Sequence, residues 1–78
     1  MTNWKEHKEL QQALQKYLVK NDLMLDGSET YKSGIDCVGV FIGGNLVLSI
    51  GLPPVSNYSM RETEHTNKYL RTKLPIAI

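Results

Sequence analysis

Apolar residues recur three or four positions apart near the start of the chain, and polar residues fill the positions between them. This is the pattern of an amphipathic helix. Asn3 is a suitable N-cap residue, and Glu6 follows it at the spacing of a capping box. The pattern therefore predicts a helix over residues 4–20, whose apolar stripe consists of Leu10, Ala13, Leu14, Tyr17 and Leu18.

The longest apolar run lies in the middle of the chain and admits two interpretations. A Gly-Gly-Asn sequence at 43–45 divides it, which favours a hairpin at 38–50 and an α-β-β-α domain. The run also fits one buried helix over residues 37–50, with Asp36 as N-cap and Gly51 as its C-terminal stop. Two internal glycines would cost that helix about 0.8–1.0 kcal/mol each. Periodicity alone favours the hairpin.

The last segment has the signals of a third helix. Ser59 and Glu62 have the spacing of a capping box, and Pro75 would stop the helix, which we predict over residues 59–74. The chain then ends on apolar residues, 76–78, which indicates docking against the core or a missing neighbour. The third helix has a mildly basic face, interpreted as solvated surface, formed by Arg61, Lys68, Arg71 and Lys73.

Composition limits the possible classes of function. The chain has 78 residues, enough for one small domain over residues 1–78. A net charge of +1 gives no long-range field to gather nucleic acid, which disfavours that partner. No apolar run reaches the ~18 residues of a membrane span, and the N-terminus lacks the pattern of a signal peptide. Because a single cysteine cannot form an internal disulfide, we expect a cytoplasmic protein. The lack of a membrane span leads us to expect no binding to membranes.

Cys37, the only cysteine, is the strongest candidate for a catalytic residue. If a helix begins there, its dipole and free N–H groups would favour the thiolate and steady an oxyanion. Asp36 would then cap the helix, and Gly39 would let a substrate approach the backbone. These features fit a nucleophile that attacks a peptide carbonyl. A buried packing residue is an equally good interpretation, because free cysteine is often buried.

The sequence Gly-Ile-Asp-Cys-Val-Gly-Val at 34–40 resembles the nucleophile motif of NlpC-type, papain-like cell-wall cysteine peptidases, especially those carried by phages. The order of segments is also similar, since the helix over 4–20 lies upstream and a loop with Tyr31 precedes the cysteine. Tyr58 lies in a stretch that resembles the one following the motif. The resemblance implies a mostly α chain, the helical half of an α+β fold, in which Tyr31, Gly39 and Tyr58 bind a peptide substrate.

The same resemblance implies a chain that is inactive by itself. In the NlpC family the base is a histidine from strands downstream of the cysteine, and this chain ends before that region. His7 and His65 lie in predicted helices, where surface positions are the better interpretation. They show no ligand spacing with Cys37, so we expect neither a metal site nor a cofactor.

Two functions are consistent with these features. The first is a truncated or degenerate cysteine-peptidase-like module, inactive alone, that acts by binding a partner. The second is a small non-catalytic protein-binding inhibitor or adaptor of the kind that phages and mobile elements carry. Both imply a protein partner or a homo-oligomer. A helix beginning at Cys37 would support the first, whereas a hairpin at 38–50 would remove its structural basis.

Overall fold

The computed structural model describes residues 7–53 and 57–70, which form a small α+β fold. One long helix precedes four strands and a short helix. The four strands form a single antiparallel sheet in which chain neighbours are spatial neighbours. In chain order, the elements are α1 (Lys8–Lys20), β1 (Thr30–Ser33), β2 (Cys37–Ile42), β3 (Asn45–Gly51), β4 (Ser59–Glu62) and α2 (Thr66–Tyr69).

The first predicted helix is present as α1, which begins at Lys8. Its N-cap is His7, whose Nδ1 accepts a hydrogen bond from the N–H of Leu10 at 3.1 Å. The predicted cap, Asn3, lies outside the described residues. The apolar stripe faces the core as its spacing indicated, because three leucines at intervals of four are at most 3% exposed: Leu10, Leu14 and Leu18.

The core lies between α1 and one face of the sheet, which we call the helix face. Alternate residues of β2 and β3 are fully buried there: Val38, Val40, Leu48 and Ile50. Paired residues of neighbouring strands share a face, so the register also defines the opposite side. No residue on this opposite side is buried. We call this second side the open face, and it is formed by Thr30, Lys32, Cys37, Gly39, Phe41, Leu46, Ser49, Gly51, Ser59 and Arg61.

A β-bulge interrupts the pairing of β2 with β3. Val40 is opposite Leu48 and Phe41 is opposite Leu46, which leaves Val47 as the extra residue. The hydroxyl groups of two threonines that follow β4 donate hydrogen bonds to backbone carbonyl groups of β3 at the bulge. Thr63 Oγ1 donates to the carbonyl of Leu46, and Thr66 Oγ1 donates to that of Val47 at 2.5 Å.

The predicted helix over residues 37–50 is wrong, because β2 and β3 form a hairpin there. Gly43 and Gly44 have φ values of +58° and +82°, as a type I′ turn requires, and glycine adopts them without a steric penalty. The β-branched residues on both sides favour strands. The α-β-β-α alternative contains this hairpin but omits β1 and β4.

The predicted helix over residues 59–74 is also wrong over its described part. Ser59–Glu62 is β4, and α2 covers only Thr66–Tyr69. Met60 packs against the core opposite Ile50, and this burial outweighs the local capping-box signal. Residues 71–78, which include Arg71, Lys73 and the apolar end, lie outside the described residues. A mostly α chain is therefore incorrect, since the described chain contains more sheet than helix.

Helix α1 is tied to β4 by a hydrogen bond from the Tyr17 hydroxyl to Glu62 Oε2, at 2.5 Å. Partial burial of the phenol, and then the hydrogen bond and charge of Glu62, raise the pKa of Tyr17 to about 12. An unfolded tyrosine titrates near pH ~10. The contribution of Tyr17 to stability is therefore complete below about pH 10 and is lost as the pH rises through about 12.

We expect the free energy of unfolding to decrease between about pH 10 and 12, and to decrease less in Tyr17→Phe, which has no phenol to ionise. Urea denaturation at closely spaced pH values measures this slope. Glu62→Gln removes the charge but keeps an acceptor, so its slope should be intermediate. A Tyr17→Phe variant that loses stability as steeply as the wild type would contradict this assignment.

Neither of the helices in residues 7–53 and 57–70 has the length and apolar composition that crossing a membrane requires.

Candidate functional site

The open face has an apolar centre formed by Phe41 and Leu46, which are opposite each other on β2 and β3. Both side chains are only partly buried. A Cβ atom added to Gly39 would lie 2.8 Å from the Phe41 ring and 3.1 Å from Leu46 Cδ1. The two side chains therefore lie directly against the backbone of Gly39. Any larger residue at position 39 would displace them.

Two cations flank this apolar centre. Lys32 is on β1, and its Nζ lies 5.2 Å from the centroid of the Phe41 ring, within the range of a cation–π interaction. Arg61 is on β4, opposite Ser49. Both cationic residues are exposed. Since β1 and β4 are the outer strands of the sheet, one cation lies on each side of the centre.

The neighbouring carboxylates lie on the helix face. Glu62 is opposite the buried Leu48 and accepts the Tyr17 hydrogen bond. Glu29 precedes β1 and accepts a hydrogen bond from the Tyr31 hydroxyl at 3.4 Å. Burial, followed by the charge of Glu29, raises the pKa of Tyr31, so this hydroxyl stays protonated and donates. The only carboxylate in the described strands is that of Glu62. The charged residues among the strand residues of the open face are therefore both cations, Lys32 and Arg61.

The turn between β1 and β2 presents an exposed apolar side chain. Ile35 lies in this turn and is fully exposed, at 103% of its reference area. The N–H of Gly34 donates to the carbonyl of Cys37 at 2.7 Å, which closes the turn. A Cβ atom added to Gly34 would lie 3.2 Å from Cys37 Sγ. The thiol therefore packs against the backbone of this turn.

Cys37 and Gly39 are the two predicted site residues that the structure places together, since both are on the open face. Cys37 is partly buried and begins a strand, so it has no helix N-terminus to favour its thiolate. Asp36 is exposed in the turn, and its carbonyl accepts the N–H of Leu52 at 2.9 Å. Its predicted role as a helix cap is wrong, because no helix begins there.

The two predicted tyrosines lie on the other side of the sheet. Tyr31 is opposite the buried Val40 on the helix face. The hydroxyl of Tyr58 is 3.2–3.3 Å from the ring nitrogens of His7, and the two rings make an edge contact with centroids 5.5 Å apart. Neither tyrosine is placed to form a substrate site with Cys37.

Both histidines have structural contacts away from the thiol. His7 caps α1 and contacts Tyr58. His65 Nε2 is 3.7 Å from a Glu64 carboxylate oxygen, and its ring lies 6.0 Å from that of Tyr69. Within the described part of the chain, no group of three or more His, Cys, Asp or Glu side chains is arranged to bind a metal.

No family model matches the chain, and neither a curated protein nor a solved structure is significantly similar to it. The geometry of the open face is therefore the basis for a functional assignment.

The sequence-based prediction did not identify the centre of this site. Phe41 and Leu46 lie on either side of the Gly-Gly-Asn sequence, in segments so apolar that hydropathy alone does not separate a core residue from a surface residue. Lys32 carried no motif, and Arg61 was assigned to a helix. One signal was available: Cys37, Gly39 and Phe41 alternate with valines, and the small residues mark the less filled side of a strand.

Proposed function

We propose that the protein is a small non-catalytic protein-binding module, of the inhibitor or adaptor type, that binds its partner through the open face. The observation that carries this proposal is the partly exposed pair of Phe41 and Leu46 on a sheet face with no buried residue. An apolar centre with an aromatic residue and a polar rim is the usual composition of a protein interface.

The two faces of the sheet differ in a way that favours binding over a purely structural role. α1 fills the helix face, and an antiparallel sheet with one covered face usually has polar residues on the other. Here the other face carries a phenylalanine and a leucine. The Phe41 ring does protect the backbone of Gly39, which stabilises the strand. This protection does not account for the exposed Ile35 at the adjoining turn.

The chemistry around Cys37 supports binding rather than catalysis. Cys37 is paired with Gly51 in the sheet, so the free N–H groups of a helix N-terminus are not available to an oxyanion. Both histidines have other contacts. The peptidase-like module stays a prediction, but it lacks the helix on which its activation of the thiol depended. A partly exposed lone thiol suits a reducing compartment, and we place the protein in the cytoplasm.

Selection from a displayed library of random peptides tests the proposed function. We expect the wild-type chain to enrich peptides whose affinity decreases at least roughly tenfold in the double variant Phe41→Ser and Leu46→Ser, since hot spots dominate interface energies. Val19→Ser is the matched control, because Val19 is an exposed apolar residue on α1, and it should bind normally.

Failure to enrich any peptide, or equal binding by the double variant, would overturn the proposal. Mass spectrometry of a selected peptide after incubation tests the alternative, the cysteine-peptidase-like module. We expect the peptide to remain intact. Cleavage by the wild type that is lost in Cys37→Ser would instead establish a peptidase.

A further inference from the structure

The strand register places the two cations of the open face at opposite ends of one row. Lys32 is opposite Gly39, Gly39 is opposite Ser49, and Ser49 is opposite Arg61. The row therefore crosses all four strands. With strands about 4.8 Å apart, its two ends are separated by roughly 14 Å along the sheet.

The middle of this row is apolar, although its own residues are Gly39 and Ser49. The Phe41 ring and the Leu46 side chain both lie against Gly39, as the short Cβ distances there show. A ligand that crosses the strands along the row would thus meet a cation, then an apolar surface, then a second cation.

We propose, on the basis of the function above, that the partner segment is an extended acidic peptide that crosses the strands along this row. Its side chains would follow the order carboxylate, apolar, carboxylate at positions i, i+2 and i+4. These positions lie on the same side of an extended chain, and four residues span about 13 Å, close to the separation of the cations. The carboxylates would pair with Lys32 and Arg61, and the apolar side chain would contact Phe41 and Leu46.

Charge complementarity favours this occupant over a second copy of the chain. Two open faces in contact would bring the Lys32 and Arg61 side chains of both copies together, and like charges at an interface are costly. The carboxylates that would neutralise them, Glu29 and Glu62, are bonded to tyrosines on the helix face. Asp36 lies in the β1–β2 turn, beyond the strands.

The open face also disfavours a nucleic acid. Proteins that bind single strands stack successive bases on several aromatic side chains, and Phe41 is the only aromatic residue among the described strand residues of the open face. The chain has a net charge of only +1, whereas proteins that bind nucleic acid through phosphates usually carry a strongly basic surface.

Binding of designed peptides tests the inference. The probe is a short peptide with the order Glu-Ser-Leu-Ser-Glu, compared with versions in which both Glu residues are replaced by Gln or by Lys, and with single-stranded oligothymidine. We expect the Glu peptide to bind and to shift the amide resonances of Gly39 and Ser49. Lys32→Gln and Arg61→Gln should each weaken this binding roughly three- to tenfold, whereas Lys16→Gln, an exposed cation on α1, should not.

Equal binding of the Gln or Lys peptide would overturn the acidic assignment, as would preferential binding of the oligonucleotide or no binding of the Glu peptide. The library selection distinguishes a failure of this inference from a failure of the proposed function. If the library selection enriches peptides that lack the acidic spacing, the binding function stands and this inference is wrong. If the selection enriches nothing, the binding function itself is wrong.

Discussion

Replacement of Leu48 with alanine is expected to lower the free energy of unfolding by about 2–5 kcal/mol. Leu48 is fully buried between the sheet and α1, so its truncation removes apolar contacts and leaves a cavity. At about 0.05–0.15 kcal/mol per residue, a chain of this length has roughly 4–12 kcal/mol of stability in total. Urea denaturation followed by circular dichroism measures the loss, which is a large share of that total.

Leu46 provides the matched control, because it is the same residue type on the same strand but faces the open side. Leu46→Ala is expected to cost less than about 1 kcal/mol, the usual value of a cross-strand pair such as the one it makes with Phe41. Equal losses at positions 46 and 48 would mean that both faces of β3 are buried. That result would also remove the basis of the proposed binding surface.

The helix α1 could be predicted because its pattern has one interpretation. Its leucines recur every fourth residue, and most of the other positions of the helix are polar. The hairpin at 38–50 was also accessible from local signals, since two glycines with positive φ and the β-branched residues beside them favour it. The resemblance to a peptidase motif favoured a helix instead. Seven residues of similarity did not outweigh the local backbone preferences.

The outer strands had no comparable signal. β1 and β4 each have four residues, and each directs only one large side chain to the core, Tyr31 and Met60 respectively. Such a short alternation cannot be distinguished from a loop. Ser59 and Glu62 also imitate a capping box, although Glu62 in fact accepts a hydrogen bond from Tyr17. These strands form because β2 and β3 provide edges to pair with, which is a tertiary effect.

The candidate site depended on the same tertiary information. Lys32 and Arg61 are far apart in the sequence, and only the strand register places them in one row with Gly39 and Ser49. Cys37 and Gly39 were predicted as site residues for a chemistry that needed a helix, and the structure places both on the open face of a strand. The sequence therefore indicated two residues of this surface, whereas its apolar centre and its two cations depended on the strand register.

Thr66→Val is expected to lower the free energy of unfolding by about 1–3 kcal/mol for each buried partner that it leaves unsatisfied. Thr66 is 1% exposed, its hydroxyl donates to the carbonyl of Val47, and the same oxygen accepts the N–H of Thr63 at 2.8 Å. Valine has nearly the same shape but cannot make either bond. Urea denaturation measures the loss, and faster hydrogen exchange at the Thr63 amide would locate it.

Thr66→Ser keeps the hydroxyl and removes only a methyl group, so it should cost about 1 kcal/mol or less. A Thr66→Val variant as stable as Thr66→Ser would contradict the role assigned to the hydroxyl.

The Thr66→Val substitution should also affect the open face. Because of the bulge at Val47, Phe41 is opposite Leu46 rather than Val47. The Thr66 hydroxyl stabilises the bulge by donating a hydrogen bond to the Val47 carbonyl. Loss of that bond should therefore weaken peptide binding in chains that remain folded, whereas Leu10→Ala, which truncates a core residue of α1, should reduce stability without changing the affinity of the folded fraction.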